Sequence, residues 1–327
     1  MKFKDLKKSL NEKISNIYIL SCGQDKEDLY LKASAIGNIT KKAVTNFEDL
    51  NISVFSEENS DKDMIKKALE TLPFLSDKRL VLIKESENVK YDEILKILAT
   101  YIENPIENIV LVIDEKEESK FKELEKTKNV EVVDCSRLDR EIVYSFVAKS
   151  CQNSGIQIET SAINKILDFT DCYMTNVDLE LRKLISFKYN EKIINEKDVE
   201  NLVEKSDEYQ IFELTNALFG GNGDRALYIV SDIIKNKKNI SSILGLIYTY
   251  IRRLFYIKVS KETPLEISKK LEIKEFAVKM MKNQSDKVSA KKLKETLILC
   301  KDIDYNIKSG KIDLISGIYN LIFSILV

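Results

Sequence analysis

No histidine occurs anywhere in this chain of 327 residues. That absence removes the commonest general base, the commonest metal ligand and every Ser-His or Cys-His nucleophile pair. The five cysteines, Cys22, Cys135, Cys151, Cys172 and Cys300, are odd in number and never spaced C-x-x-C. They argue against a zinc site and a disulfide framework and are expected to be small buried apolar residues. With only 9 Gly and 3 Pro, long disordered linkers and a many-turned all-β architecture are poorly supported, and the bias is toward helix. No apolar run approaches the ~20 residues that span a bilayer. The opening Met1-Lys2-Phe3-Lys4-Asp5-Leu6-Lys7 also lacks the apolar stretch of a secretion signal. A cytoplasmic chain without membrane contact, bound metal or cofactor is expected.

What is present supports a folded, multi-domain chain. Hydrophobic residues make up 44% and charged residues 32%, enough apolar surface to bury a core, and the length suits two or three domains of ~100–150 residues. Short β-branched runs at 17–22, 52–55, 80–84, 109–113 and 130–134 are expected to be strands. Helically spaced residues such as Leu29, Ala33 and Ile36, and later Ile94, Leu95, Leu98 and Tyr101, lie between them. Such alternation implies a parallel sheet flanked by helices. Beyond Arg137 the β-runs stop and amphipathic helices follow. The expected organisation is an α/β domain over 1–137, a small helical domain over 138–208 and a second helical domain over 209–327. The near-neutral total hides polarisation: Tyr209 to Val327 carries 20 Lys or Arg against 12 Asp or Glu, net +8, leaving net −9 for residues 1–208.

An α/β domain of this kind invites a search for the phosphate loop G-x-x-x-x-G-K-[S/T], and the loop is absent. Its place after the first strand reads Gly23-Gln24-Asp25-Lys26-Glu27-Asp28. Carboxylates there satisfy the dipole of the next helix and repel phosphate, so no ATP binding is expected. Asp114-Glu115 resembles the acidic end of a Mg²⁺-holding strand. Without a phosphate loop to pair with, it is expected to be a solvated strand end.

In Met64-Ile-Lys-Lys-Ala-Leu-Glu-Thr-Leu-Pro-Phe-Leu-Ser76, positions 64, 65, 68, 69 and 72 form one apolar helical face before proline stops the helix. Phe74 and Leu75 fall just past that stop. They either fold back as a plug over the sheet or project as an anchor for another protein. In the basic third segment, Arg252-Arg253 and lysines 269, 270, 279, 282, 291, 292 and 294 suit either a phosphate-contacting face or packing against another subunit.

Taken together, these features resemble the delta subunit of the bacterial DNA polymerase III clamp loader, over essentially the whole chain. The resemblance is carried by the order and spacing of Ile17-Tyr-Ile-Leu-Ser-Cys-Gly-Gln-Asp25, Leu72-Pro-Phe-Leu-Ser-Asp-Lys-Arg-Leu-Val-Leu-Ile83, Ser206-Asp-Glu-Tyr-Gln-Ile-Phe-Glu-Leu214 and Tyr305-Asn-Ile-Lys-Ser-Gly310. It implies a degenerate AAA+/RecA-like core without ATPase activity, a helical lid and a C-terminal collar assembled with ATPase subunits and delta prime around primed DNA. It further implies a sliding-clamp-binding element, with Leu72, Phe74 and Leu75 as its hydrophobic tip. Glu70 stands near the family motif's glutamine, and the Phe-Leu order is inverted. Two other classes of function compete: an active P-loop-like ATPase relying on Asp114 or Glu115, and a stand-alone DNA-binding protein built on the basic segment.

Overall fold

The computed structural model describes residues 1–22, 28–56, 61–84, 91–115, 124–236, 241–273 and 275–326. They divide into two compact units, Met1–Val203 and Glu204–Val327.

Five of the β-branched runs form one parallel sheet in the first unit: β1 (Ile17–Ser21), β2 (Ile52–Phe55), β3 (Arg79–Lys84), β4 (Ile109–Asp114) and β5 (Glu131–Asp134). Their order is β2-β3-β4-β1-β5, with Ile17 opposite Leu111, Tyr18 opposite Glu131 and Leu80 opposite Val110. Parallel neighbours need crossovers, and these run through α2 (Leu29–Ala43), α3 (Glu48–Asn51), α4 (Lys62–Glu70) and α5 (Tyr91–Glu103), after the leading α1 (Leu6–Glu12). The central strands are apolar without alternation because both faces are covered. Ile17, Ile19, Leu111 and Ile113 pack with Ile65 and Leu69 of α4 and Ile94, Leu98 and Ile102 of α5 on one side. Each such buried aliphatic side chain contributes ~1.5–3 kcal/mol.

The same unit continues with α6 (Arg140–Asn153), α7 (Thr160–Phe169), α8 (Met174–Phe187) and α9 (Glu196–Leu202). Here the expectation that β structure ends near Arg137 is corrected. β6 (Gln157–Ile158) pairs in parallel with β7 (Ile193–Ile194), and two residues per strand are too few to show a period of two in sequence.

The second unit is helical: α10 (Asp207–Phe219), α11 (Gly223–Asn236), α12 (Ser241–Val259), α13 (Pro264–Leu271), α14 (Glu275–Ser285), α15 (Ala290–Lys308) and α16 (Leu314–Leu326). Its core includes Leu214, Ala226, Ile247, Ile251, Leu293 and Leu321. A buried polar chain crosses it, from the Tyr250 hydroxyl to Gln284 Oε1 at 2.6 Å and from Gln284 Nε2 to Thr215 Oγ1 at 2.9 Å. These bonds offset the cost of burying the amide and link side chains of α10, α12 and α14.

Candidate functional site

The segment after α4 places its apolar residues outside the core. Asp61 caps α4 by accepting from the Asp63 and Met64 amides at 2.9 and 3.1 Å. The helix ends at Glu70, three residues before Pro73, and Thr71 returns its hydroxyl to Lys67 O at 2.6 Å. The expected apolar face therefore divides. Ile65, Ala68 and Leu69 are buried against the sheet, whereas Met64 is exposed and Leu72 lies past the helix end, exposed as well. Phe74 is 52% exposed and Leu75 68%, so neither side chain is a plug in the core of this chain.

The backbone beneath them is nonetheless held. Phe74 N donates to Asn51 Oδ1 at 2.7 Å, and Asn51 Nδ2 donates to Phe74 O at 2.9 Å. Thr45 N donates to Ser76 Oγ at 3.1 Å. Phe47, exposed on the loop before α3, meets Phe74 edge to face with ring centroids 5.7 Å apart. Phe47 and Asn51 had no signal in the sequence pointing to Phe74, because they lie more than twenty residues upstream and reach it only through the crossover.

The place of a nucleotide in an open parallel sheet is the crevice beyond the carboxyl ends of the strands. Here that crevice holds an internal ion pair. Lys32 of α2 reaches Asp114 Oδ1 at 2.8 Å and also donates to Glu115 O. Asp114 and Glu115 are thus corrected from a solvated strand end: Glu115 is buried and Asp114 is largely shielded by Lys32. A second correction concerns Asp28. It stands at the N-cap of α2 without capping it. Its buried carboxylate accepts instead from Met174 N at 2.7 Å, Thr175 N at 3.1 Å and Thr175 Oγ1 at 2.8 Å, at the start of α8. Arg137 pairs with Asp171 and lies over the Tyr173 ring, 4.7 Å from its centroid. Asp25 and Glu27 lie outside the described residues.

All five cysteines are free, and four are buried, Cys172 being intermediate. Burial pushes the Cys151 and Cys172 thiols up to about 11 and that of Cys300 up to about 12, values that leave no reactive thiolate near neutral pH.

In the second unit Arg252 is exposed and Arg253 half-buried on α12. The lysine face is partly self-compensated: Lys270 pairs with Glu262 and Lys279 with Glu275. Among the described residues no helix is long and apolar enough to cross a membrane.

A five-stranded parallel sheet between helices, with an ion pair in the crevice at its carboxyl edge and a following helical unit, defines a multi-domain α/β class of protein. Residues 19–136 match the family model for the DNA polymerase III delta subunit, and residues 208–325 match that for its C-terminal domain. The chain belongs to the DNA polymerase III delta subunit family, the clamp-loader delta component of that replication machinery. It is 26% identical over 324 residues to DNA polymerase III subunit delta of Bacillus subtilis (strain 168), covering 94% of this chain and 92% of the relative. It is 25% identical over 172 residues to the probable DNA polymerase III subunit delta of Aquifex aeolicus (strain VF5), covering 51% of this chain and 49% of that one. The solved structure of the Bacillus subtilis DNA clamp loader delta protein superimposes with a TM-score of 0.64 at 25% identity, over 99% of both chains.

Proposed function

We propose that this chain grips one protomer of the sliding clamp through Leu72, Phe74 and Leu75 and favours an open ring, without hydrolysing ATP itself. The observation that carries the reading is the exposure of Phe74 and Leu75 on a backbone held by Asn51. Large apolar side chains exposed together on an ordered turn have the character of a binding hot spot, each anchor contributing ~2–4 kcal/mol when it fills an apolar pocket. The binding energy does mechanical work only where it differs between closed and open rings.

The crevice supports a passive role in ATP chemistry. Lys32 faces the end of β4, its ammonium set against Asp114 and the Glu115 carbonyl. A triphosphate would have to displace that pair without a phosphate loop to receive it. In this reading residues 1–137 form the clamp-gripping core, 138–208 the lid and 209–327 the collar. The collar joins the ATPase subunits and delta prime in the cytoplasm and faces primed DNA, with Arg252 and Arg253 as contacts to DNA or to a neighbouring subunit.

Calorimetric titration of the chain against its sliding clamp tests this, comparing wild type with the double change Phe74→Ala and Leu75→Ala and with thermal melts as the folding control. Binding by wild type and its loss in the variant at unchanged melting temperature is the expected result. Equal binding by both proteins, or none by wild type, would remove the gripping role.

A further inference from the structure

We propose that Asn51 is the positioning residue of a two-loop tip in which Phe47 joins Leu72, Phe74 and Leu75 as a further contact for the clamp. The proposal rests on the clamp-gripping reading and adds to it the residues that shape the tip.

Asn51 is fully buried, although the Phe47 and Phe74 side chains on the two loops it joins are both exposed. Its Nδ2 donates to Asn46 O at 3.0 Å, Phe47 O at 3.1 Å and Phe74 O at 2.9 Å, and its Oδ1 accepts from Phe74 N at 2.7 Å. Carbonyls only accept and a backbone N–H only donates, so these partners fix which end of the amide is which. Both backbone groups of Phe74 are therefore satisfied by one side chain 23 positions away. That side chain also holds the loop carrying Phe47. Thr45 adds a second tie, its hydroxyl accepting from Asp77 N at 3.3 Å.

The result is a shaped surface rather than two separate loops. The Phe47 and Phe74 rings meet at 68°, the edge-to-face arrangement favoured by their quadrupoles. Phe47 and Leu75 sit in left-handed backbone, at φ 51° and 47°. Large non-glycine side chains seldom adopt that conformation unless their surroundings impose it. With Phe47 53% and Leu75 68% exposed, side-chain burial does not impose it; the Asn51 bonds to Phe47 and Phe74, together with the Thr45 ties to Ser76 and Asp77, hold the flanking backbone. A tip ordered before contact loses less conformational freedom on binding.

Replacing Asn51 by Asp keeps the acceptor for Phe74 N, removes both donor hydrogens and sets a carboxylate against three carbonyl oxygens. The test compares wild type, Asn51→Asp and Phe47→Ala in the full chain, by calorimetry against the sliding clamp and by amide hydrogen exchange. Asn51→Asp is expected to weaken binding by about tenfold, with faster exchange in 72–77 and unchanged protection in 109–114. Phe47→Ala is expected to weaken binding by about fivefold with exchange unchanged. Affinity of Asn51→Asp within about twofold of wild type, or a loss of affinity without faster exchange in 72–77, overturns the positioning role. Unchanged affinity of Phe47→Ala overturns the added contact at Phe47. If Asn51→Asp fails to fold, Asn51→Ser is read by the same two measurements. Absence of wild-type binding sinks the gripping reading itself, and unchanged exchange in 72–77 would then still overturn the role of Asn51.

Discussion

Lys32 and Asp114 meet at 2.8 Å across the crevice at the end of β4, with side chains only 3% and 17% exposed. Both lie at the carboxyl edge of the parallel sheet, where an open α/β fold ordinarily receives its ligand. In this chain they turn toward each other.

Removing one partner of that pair should be far more damaging than removing both. Lys32→Met strands a shielded carboxylate and is expected to destabilise the first unit by ~3–5 kcal/mol, whereas Lys32→Met with Asp114→Leu recovers most of the loss. Urea unfolding of the two variants decides it. A double variant as unstable as the single one would show that the pair is not the source of the stability.

Asp28 joins the start of α2 to the start of α8, so its loss should be felt at α8. Asp28→Ala removes the acceptor of the Met174 and Thr175 amides and is expected to destabilise by ~1–2 kcal/mol, the range for losing a helix cap. Hydrogen exchange at those two amides should accelerate, and Asp28→Asn, which keeps one acceptor oxygen, should restore part of the protection. Unchanged exchange in Asp28→Ala would count against the joint.

The thiols give a prediction on the alkaline side. Those of Cys151, Cys172 and Cys300 are pushed above the ordinary 9.0 by burial, so between that value and their raised ones the unfolded chain loses protons that the folded chain keeps. Stability should therefore fall as pH rises above about 9. At pH 8 a thiol near 11 is about one part in a thousand thiolate. Iodoacetamide should accordingly label these cysteines only after denaturation, as read by mass spectrometry.

On the acid side the start of α9 is the sensitive point. Asn195 and Asp198 form a reciprocal capping box, and Lys188 pairs with Asp198 at 2.9 Å. Burial opposes the charged form of Asp198, but the bonds from Asn195 and Lys188 outweigh it and hold the carboxyl below its ordinary 3.8. The stabilisation is fully present above that value and is lost as pH falls through the lower folded one. Circular dichroism during acid titration should show a smaller loss below pH 4 for Asp198→Asn than for wild type, from a lower starting stability.

Much of the fold is legible in the order of residues. The runs Ile17-Tyr-Ile-Leu and Ile109-Val-Leu-Val-Ile become central strands because unbroken β-branched stretches suit burial on both faces. The helical character of the second unit follows from apolar spacing and scarce glycine and proline. Gln157–Ile158 and Ile193–Ile194 are too short to announce themselves. The solvated end expected at Asp114-Glu115 missed Lys32, because a charged residue in sequence carries no label for its partner.

By itself the sequence determined the alternating α/β core, the helical continuation, the missing phosphate loop and the apolar residues of the tip, all consequences of local periodicity and chemistry. Tertiary structure alone decided that Phe74 and Leu75 point outward, that Asn51 binds the backbone of a loop 23 residues away and that Asp28 serves α8 rather than its own helix. Those outcomes depend on which hydrogen-bonding groups the sheet crossovers bring within about 3 Å of one another, and that distance is a property of the folded chain.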